Sequence, residues 1–238
     1  FISRENVQRK FVVMANVERV REDKVREIEE FVKGGNALVY FLGNRVDPIL
    51  LNRDFGKEGE GLFPGVIDPE AVSLNREDSR VQVDLEDVSH PLINRVVGPE
   101  ADPEGFWSDP PPKVWGYFRL DVPTDRQDTD VLLRLDDPDR SPLLAERKFG
   151  KGRVLLFASS ADLDWNDFPD VGMMIPLLHE MVYYLTQRDG SAANLLPYAA
   201  FERELNARVE AVTVHSPAGG KTTVTPITQE GRSATIEF

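Results

Sequence analysis

The stretch from residue 10 to residue 43 constrains the fold more than any other. "KFVVMANV" (10–17) is a β-branched apolar run of buried-strand length. "REDKVREIEEFVKGG" follows with helical spacing: Val25, Ile28 and Val32 share one face, Phe31 lies beside it, and charges cover the rest. Gly34 and Gly35 supply a helix stop. "ALVYFLG" (37–43) is then a continuously apolar second strand. A strand, a helix and an apolar strand in this order form a βαβ unit, which predicts a mostly parallel sheet with helices on both faces and a right-handed crossover.

The remaining chain extends that unit. "DPILLNRDF" reads as a short helix and "GLFPGVIDPEAV" (61–72) as a loop punctuated by Pro and Gly. "RVQVDL" (80–85) alternates like a strand, and the Pro- and acid-rich segment 98–113 reads as a surface loop. "VWGYFRL" (114–120), "DVLLRL" (130–135) and "PLLAERKF" (142–149) read as consecutive strands, with "DDPDRS" and "GKG" as turns. "RVLLFAS" (153–159) is a buried strand, and "GMMIPLLHEMVYYLTQR" (172–188) an apolar helix with Pro176 in its first turn. After residue 196 the texture changes to short strands separated by turns, among them "FEREL", "VEAVTVHSP", "KTTVTPI" and "ATIEF". The expected organisation is an α/β domain over 1–196 and a truncated all-β segment over 197–238. About forty residues fall short of the roughly one hundred of a full β-sandwich. The chain is accordingly expected to be a piece of a longer protein.

Composition excludes several function classes. A net charge of −13 repels phosphate backbones, so nucleic acid is not an expected partner. The absence of cysteine removes disulfides, zinc–thiolate sites and thiol nucleophiles. No run of 18 or more apolar residues is long enough to span a bilayer.

Two segments carry a family likeness. "FVVMANVERV…VREIEEFVKGGNALVYFLGNRVD" and "SPLLAERKFGKGRVLLFASSADLDWNDFP…MMIPLLHEMVYYL" resemble the class I glutamine amidotransferase-like domain. The variant they resemble is found in bacterial membrane-anchored proteins with a von Willebrand factor A domain, the BatA-type aerotolerance proteins. "SHPLI" (89–93) resembles the His-Pro element of trehalose-utilisation-type members of that superfamily. The likeness covers residues 10–50 and 80–187. It implies a flavodoxin-like α/β fold whose first strand lies upstream of residue 1 or in a rearranged edge, followed by the start of an immunoglobulin-like domain. It also implies a place in the extracytoplasmic, soluble part of a cell-envelope protein, with a protein partner, no cofactor, and membrane contact only through segments outside this chain. The unfinished β segment leaves edge strands, through which a homodimer is expected.

In working amidotransferases a Cys on a sharp turn after a central strand is activated by a His. The matched turn of this chain carries Gly43 and Asn44, and the matched His position carries Ser159, Ser160 and Ala161. Nucleophile and base are both missing, so the resemblance implies a domain without catalysis. A serine hydrolase needs a base near the serine. Of the three histidines, His179 is expected at a helix surface and His215 in a turn. His90, expected to bond backbone before Pro91, is the only candidate base. Asp162, Asp164 and Asp167 are oxygen ligands of the type Ca²⁺ and Mg²⁺ prefer. Their spacing lacks the calcium-loop Gly and closing Glu, so the expectation is that they prepare a helix N-terminus. No metal is assigned. Trp165 is expected to fold back over the sheet end, its N–H finding a carbonyl. The candidate ligand pocket at the carboxyl ends of the strands therefore comprises Asn16, Gly43, Asn44, His90, Ser159, Ser160, Asp162 and Trp165. The competing reading is a hydrolase or metal-dependent carbohydrate-active enzyme that uses this pocket through His90 or the three aspartates.

Overall fold

The computed structural model describes residues 10–77, 81–85, 90–97 and 110–186, and five strands between residues 202 and 237. The βαβ unit forms where the apolar spacing places it. β1 (Phe11–Ala15) leads to α1 (Glu22–Lys33), which buries Val25 and Val32 and returns the chain to β2 (Ala37–Phe41). Each buried valine contributes about 1.5–3 kcal/mol of apolar burial. β1 and β2 pair in parallel with Phe11 opposite Ala37. All five residues of β2 are buried, as a strand covered on both faces requires.

After β2, α2 (Pro48–Leu51) starts on Asp47, whose carboxylate accepts from the N–H groups of Ile49 and Leu50. A π turn over Asn52–Gly56 extends it. β3 (Val66–Ser73), β4 (Val83–Asp84), α3 (Pro91–Val97), β5 (Gly116–Asp121), β6 (Thr129–Leu135), β7 (Pro142–Phe149), β8 (Gly152–Phe157) and α4 (Met174–Thr186) complete the unit. The central sheet has the order β1-β2-β8-β7-β6-β4.

The fold is α/β, but the sheet is mixed rather than mostly parallel. β1, β2 and β8 run parallel, whereas β8–β7, β7–β6 and β6–β4 are antiparallel. The cause is local: only Gly150 and Lys151 separate β7 from β8, and a loop that short can only return the chain antiparallel. Two further expectations need correction. The segment read as a loop over 61–72 contains β3, which pairs antiparallel with β5 in a separate two-stranded sheet. Its register shifts between Ile67 and Ala71, so Pro69 falls in the irregularity, where its missing N–H breaks no ladder. β5 therefore leaves the run of consecutive strands.

Opposite faces of the sheet carry α1 and α4. Gly152 lies beneath the carbonyl of Val32 at the end of α1, while the next residue, Arg153, bonds the Tyr184 hydroxyl of α4. Adjacent strand residues point to opposite faces. Tyr40, Phe55 and Phe63 form an aromatic cluster of edge contacts and one stacked pair. Phe41, Phe157 and Phe168 form another.

The chain divides into two compact units, Phe1–Gln187 and Arg188–Phe238. The junction expected at 196/197 lies outside the described residues. In the second unit β9 (Glu202–Leu205), β10 (Val212–His215), β11 (Lys221–Val224), β12 (Thr228–Glu230) and β13 (Ser233–Glu237) form two antiparallel groups, β12-β13-β9 and β10-β11. His215, expected in a turn, ends β10 opposite Lys221.

Candidate functional site

The carboxyl ends of β1, β2 and β8 meet as the βαβ reading requires. Asn16 follows β1 in the left-handed region (φ 52°), a conformation Asn tolerates better than most residues. Its Oδ1 accepts from the Arg45 N–H, and its Nδ2 donates to Asn44 Oδ1 at 2.9 Å. Asn44 Nδ2 donates in turn to Asp164 Oδ2 at 3.0 Å. Gly43 is buried directly beneath the Asn16 side chain. Thus Asn16, Asn44 and Asp164 form one hydrogen-bonded bridge, packed over Gly43, across three strand ends.

Ser159 and Ser160, at the end of β8, are fully buried. The Ser159 hydroxyl donates to the Gly116 carbonyl at 2.7 Å and accepts from Asn166 Nδ2 at 3.1 Å. The Ser160 hydroxyl donates to the Asp162 carbonyl at 3.1 Å. Asn166, absent from the expected set, organises this end. It is fully buried, its Nδ2 donates to the Ser160 carbonyl at 2.8 Å, and its Oδ1 accepts from the Phe168 N–H at 3.2 Å. The available signal was an Asn placed between the buried strand end and a buried Phe.

Trp165 covers the neighbouring strand, its indole lying on Gly116 and 5.4 Å from the Phe118 ring. The Trp165 carbonyl accepts from the N–H groups of Trp115 and Gly116. The indole found donating to a carbonyl is that of Trp115, bonded to Asp164 at 2.6 Å.

His90 does not join this group. Its Nδ1 accepts from the Leu92 N–H, and its ring packs edge-on against Tyr184, 5.1 Å away. The Tyr184 hydroxyl bonds Glu146 and Arg153, and Arg153 is the second residue of β8. Ser159 lies six residues beyond Arg153, about 20 Å at about 3.3 Å per residue, so His90 lies at the opposite end of the sheet. It is out of reach as a base for either serine. Burial lowers the His90 pKa, with Glu146 and Asp130 opposing the shift and Arg153 adding to it. His179 is exposed on α4, its Nδ1 3.2 Å from Glu180 Oε1.

The three aspartates point to three different partners. Asp162 is exposed and accepts from the Asp164 N–H, closing a turn. Asp164 belongs to the Asn bridge. Asp167 Oδ1 accepts from the Lys113 N–H at 2.7 Å, and burial raises its pKa. Among the described residues no three carboxylate or imidazole groups converge on a metal-sized space. Nor do the aspartates begin a helix: α4 starts only at Met174.

Three cavities of about 490, 550 and 600 Å³ open elsewhere, and none is lined by the expected pocket residues. The first lies beyond the carboxyl end of β1, between the first turn of α1 and the π turn. Arg19, Arg26, Arg53 and Lys57 contribute four positive charges to it, and Glu22 and Asp54 two negative ones. The sequence reading missed this cleft because its cations are separated by some forty residues and joined only by the fold.

No protein-family model matches the chain, and no curated protein matches it. Among the described residues no helix is long and apolar enough to cross a membrane. The chain is similar to two solved structures from Salmonella typhimurium. One is cytoplasmic protein STM3548, with 17% identity, 75% of this chain and 72% of that chain covered, and a TM-score of 0.57. The other is cytoplasmic protein STM1381, with 15% identity, 74% and 72% covered, and a TM-score of 0.54. A beta-galactosidase from Rahnella sp. R3 aligns with 96% of this chain and 32% of that one, at 16% identity and a TM-score of 0.42, too weak a likeness to argue from. What the two Salmonella structures share with this chain is the α/β fold.

Proposed function

We propose that this chain is a non-catalytic, amidotransferase-like domain of flavodoxin-like arrangement, followed by the start of an immunoglobulin-like segment. In this reading it belongs to the extracytoplasmic part of a bacterial membrane-anchored protein and acts by protein interaction or ligand sensing. The β segment would provide the edge for a homodimer. One observation carries the reading: the polar groups at the strand ends, where amidotransferase chemistry would sit, are committed to one another. A nucleophile has to meet its substrate with its oxygen accessible and a base within hydrogen-bond reach. Ser159 and Ser160 are fully buried and donate to backbone carbonyls, and the only histidine offered as their base is at the far end of β8.

The test is hydrolysis of glutamine and of p-nitrophenyl acetate by the purified chain. The expected outcome is release of ammonia and nitrophenol at the buffer rate, unchanged by Ser160→Ala. Turnover that vanishes in Ser159→Ala or Ser160→Ala, in protein that still unfolds cooperatively, refutes the reading.

A further inference from the structure

The cleft beyond β1 is cationic in a chain that is acidic overall. The chain carries 41 acidic and 28 basic residues, yet four of the six charges lining this cavity are cationic. Two of those cations are tied internally: Lys57 Nζ to Glu29 Oε1 at 2.5 Å, and Arg53 to its neighbour Asp54. Arg26 is 3.4 Å from Glu22, and both are well exposed. Arg19 has no carboxylate within ion-pair distance among the described residues. One wall is the first turn of a twelve-residue helix whose N-cap residue, Arg21, makes no side-chain cap to the helix N–H groups. The helix dipole adds partial positive charge at that end.

The opposite wall is built from unusual backbone. Residues 52–56 form a π turn, and Lys57 and Glu58 both lie in the left-handed region, at φ 45° and 56°. Neither is glycine, so each conformation carries strain of about 1–3 kcal/mol unless its surroundings offset it. π turns and such strained residues are concentrated at ligand sites. The second cavity that includes Arg53 and Lys57, of about 600 Å³, lies against the same strained segment. The location is also where open α/β sheets bind ligands, outside the carboxyl ends of parallel strands.

We infer that this cleft, lined by Arg19, Arg26, Arg53 and Lys57, binds a small soluble phosphate monoester. With Glu29, which holds Lys57, counted, the cleft keeps an excess of one positive charge for an anion to complete, and guanidinium forks pair with phosphate oxygens two at a time. A volume of about 490 Å³ suits a ligand of small-metabolite size. A net charge of −13 opposes approach to an anionic bilayer, which favours a soluble ester over a lipid headgroup. The inference rests on the ligand-sensing form of the proposed function and names its ligand.

The experiment is calorimetric titration of the full chain with inorganic phosphate and with glycerol 3-phosphate, on wild type, Arg19→Gln, Arg26→Gln and Arg119→Gln. The expected result is saturable binding of glycerol 3-phosphate with a Kd of about 1 mM or tighter, weakened about tenfold or more by Arg19→Gln or Arg26→Gln. Arg119→Gln, on β5 away from the cleft, leaves it unchanged. Thermal unfolding of each variant establishes that it folds. Absence of saturable binding, or equal binding by all four proteins, overturns the inference while leaving the non-catalytic reading intact. Release of inorganic phosphate from the ester overturns the non-catalytic reading instead. Co-sedimentation with phosphatidylglycerol vesicles that Arg19→Gln abolishes overturns the choice of a soluble ligand.

Discussion

Asn166→Ala tests the closure of the strand ends most directly. The wild-type amide satisfies the Ser160 carbonyl at 2.8 Å and the Phe168 N–H at 3.2 Å, both in buried surroundings. The contacts to Ser159 Oγ and Ser160 Oγ are less critical, because those hydroxyls also donate to the Gly116 and Asp162 carbonyls. Truncation strands one acceptor and one donor, each at about 1–3 kcal/mol. The expected loss is about 2–4 kcal/mol, large against the 5–15 kcal/mol typical of a domain yet compatible with folding. Urea unfolding followed by tryptophan fluorescence measures it, with the slope against urea unchanged. Asn166→Asp sharpens the test, since it keeps the shape and the acceptor but turns an oxygen towards the Ser160 carbonyl. At neutral pH it is expected to cost more than alanine. Burial would raise the new carboxyl's folded-state pKa, so its deficit grows as pH rises through about 4, the unfolded value, and shrinks below it. A loss under about 0.5 kcal/mol for Asn166→Ala, or a neutral-pH stability of Asn166→Asp equal to wild type, refutes the hydrogen-bond argument.

Two further predictions concern other joints of the fold. Gly152→Ala places a Cβ 2.1 Å from the carbonyl oxygens of both Val32 and Asn36, which are backbone and cannot swing aside. It is expected to cost about 3 kcal/mol or more in urea unfolding, and a loss below about 1 kcal/mol would disprove the close approach of α1 to β8. His90 is held below its ordinary pKa of 6.5 by burial, so the unfolded chain takes up its proton first as pH falls. Its stabilising contribution is therefore present above pH 6.5 and lost as pH drops towards the lowered folded value. Subtracting the stability of His90→Gln from that of wild type across about pH 7 to 5 reveals this as a decline, and a flat difference contradicts it.

Periodicity made the βαβ unit legible because α1 and β2 bury on opposite logics, one face against both. The strands β6, β7 and β8 were legible for the same reason. Partner and direction were not, because they depend on loop length and register rather than on apolar content. The two-residue turn at Gly150–Lys151 was readable as a turn, yet its consequence for the sheet, antiparallel return, outweighs the parallel start. β3 was hidden because Pro69 inside it and Gly65 just before it are loop residues by propensity, and only a bulge makes Pro69 compatible with pairing to β5. The site divides in the same way. Asn16, Gly43 and Asn44 could be grouped because they sit at strand ends, which the sequence marks. His90 was misplaced because nothing in "SHPLI" says which end of the sheet the segment reaches. Asp137 read as an acidic surface turn, yet it is buried and accepts from the Tyr117 and Ser141 hydroxyls and the Ser141 N–H. Hydrogen-bond satisfaction of that kind is a property of contacts between distant residues.

The two strand-end regions differ in how their polar groups are engaged. At β8 the buried side chains are answered from the same chain: Ser159 by Gly116, Ser160 by Asp162, Asn166 by Ser160 and Phe168. Groups held this way rigidify the sheet end and keep both serine hydroxyls away from a substrate. At β1 the balance reverses, with charged side chains in excess, a helix end without a side-chain cap, and backbone held in left-handed geometry around an open volume. Strain and an excess of one charge sign lower stability and persist where a ligand or a fold constraint offsets them. If glycerol 3-phosphate binds, wild type should gain thermal stability in its presence while Arg19→Gln gains little, because only a ligand bound to the folded state shifts unfolding. If neither protein responds, the strain at Lys57 and Glu58 serves the turn that carries the chain from α2 into β3, and the cleft is a consequence of that turn.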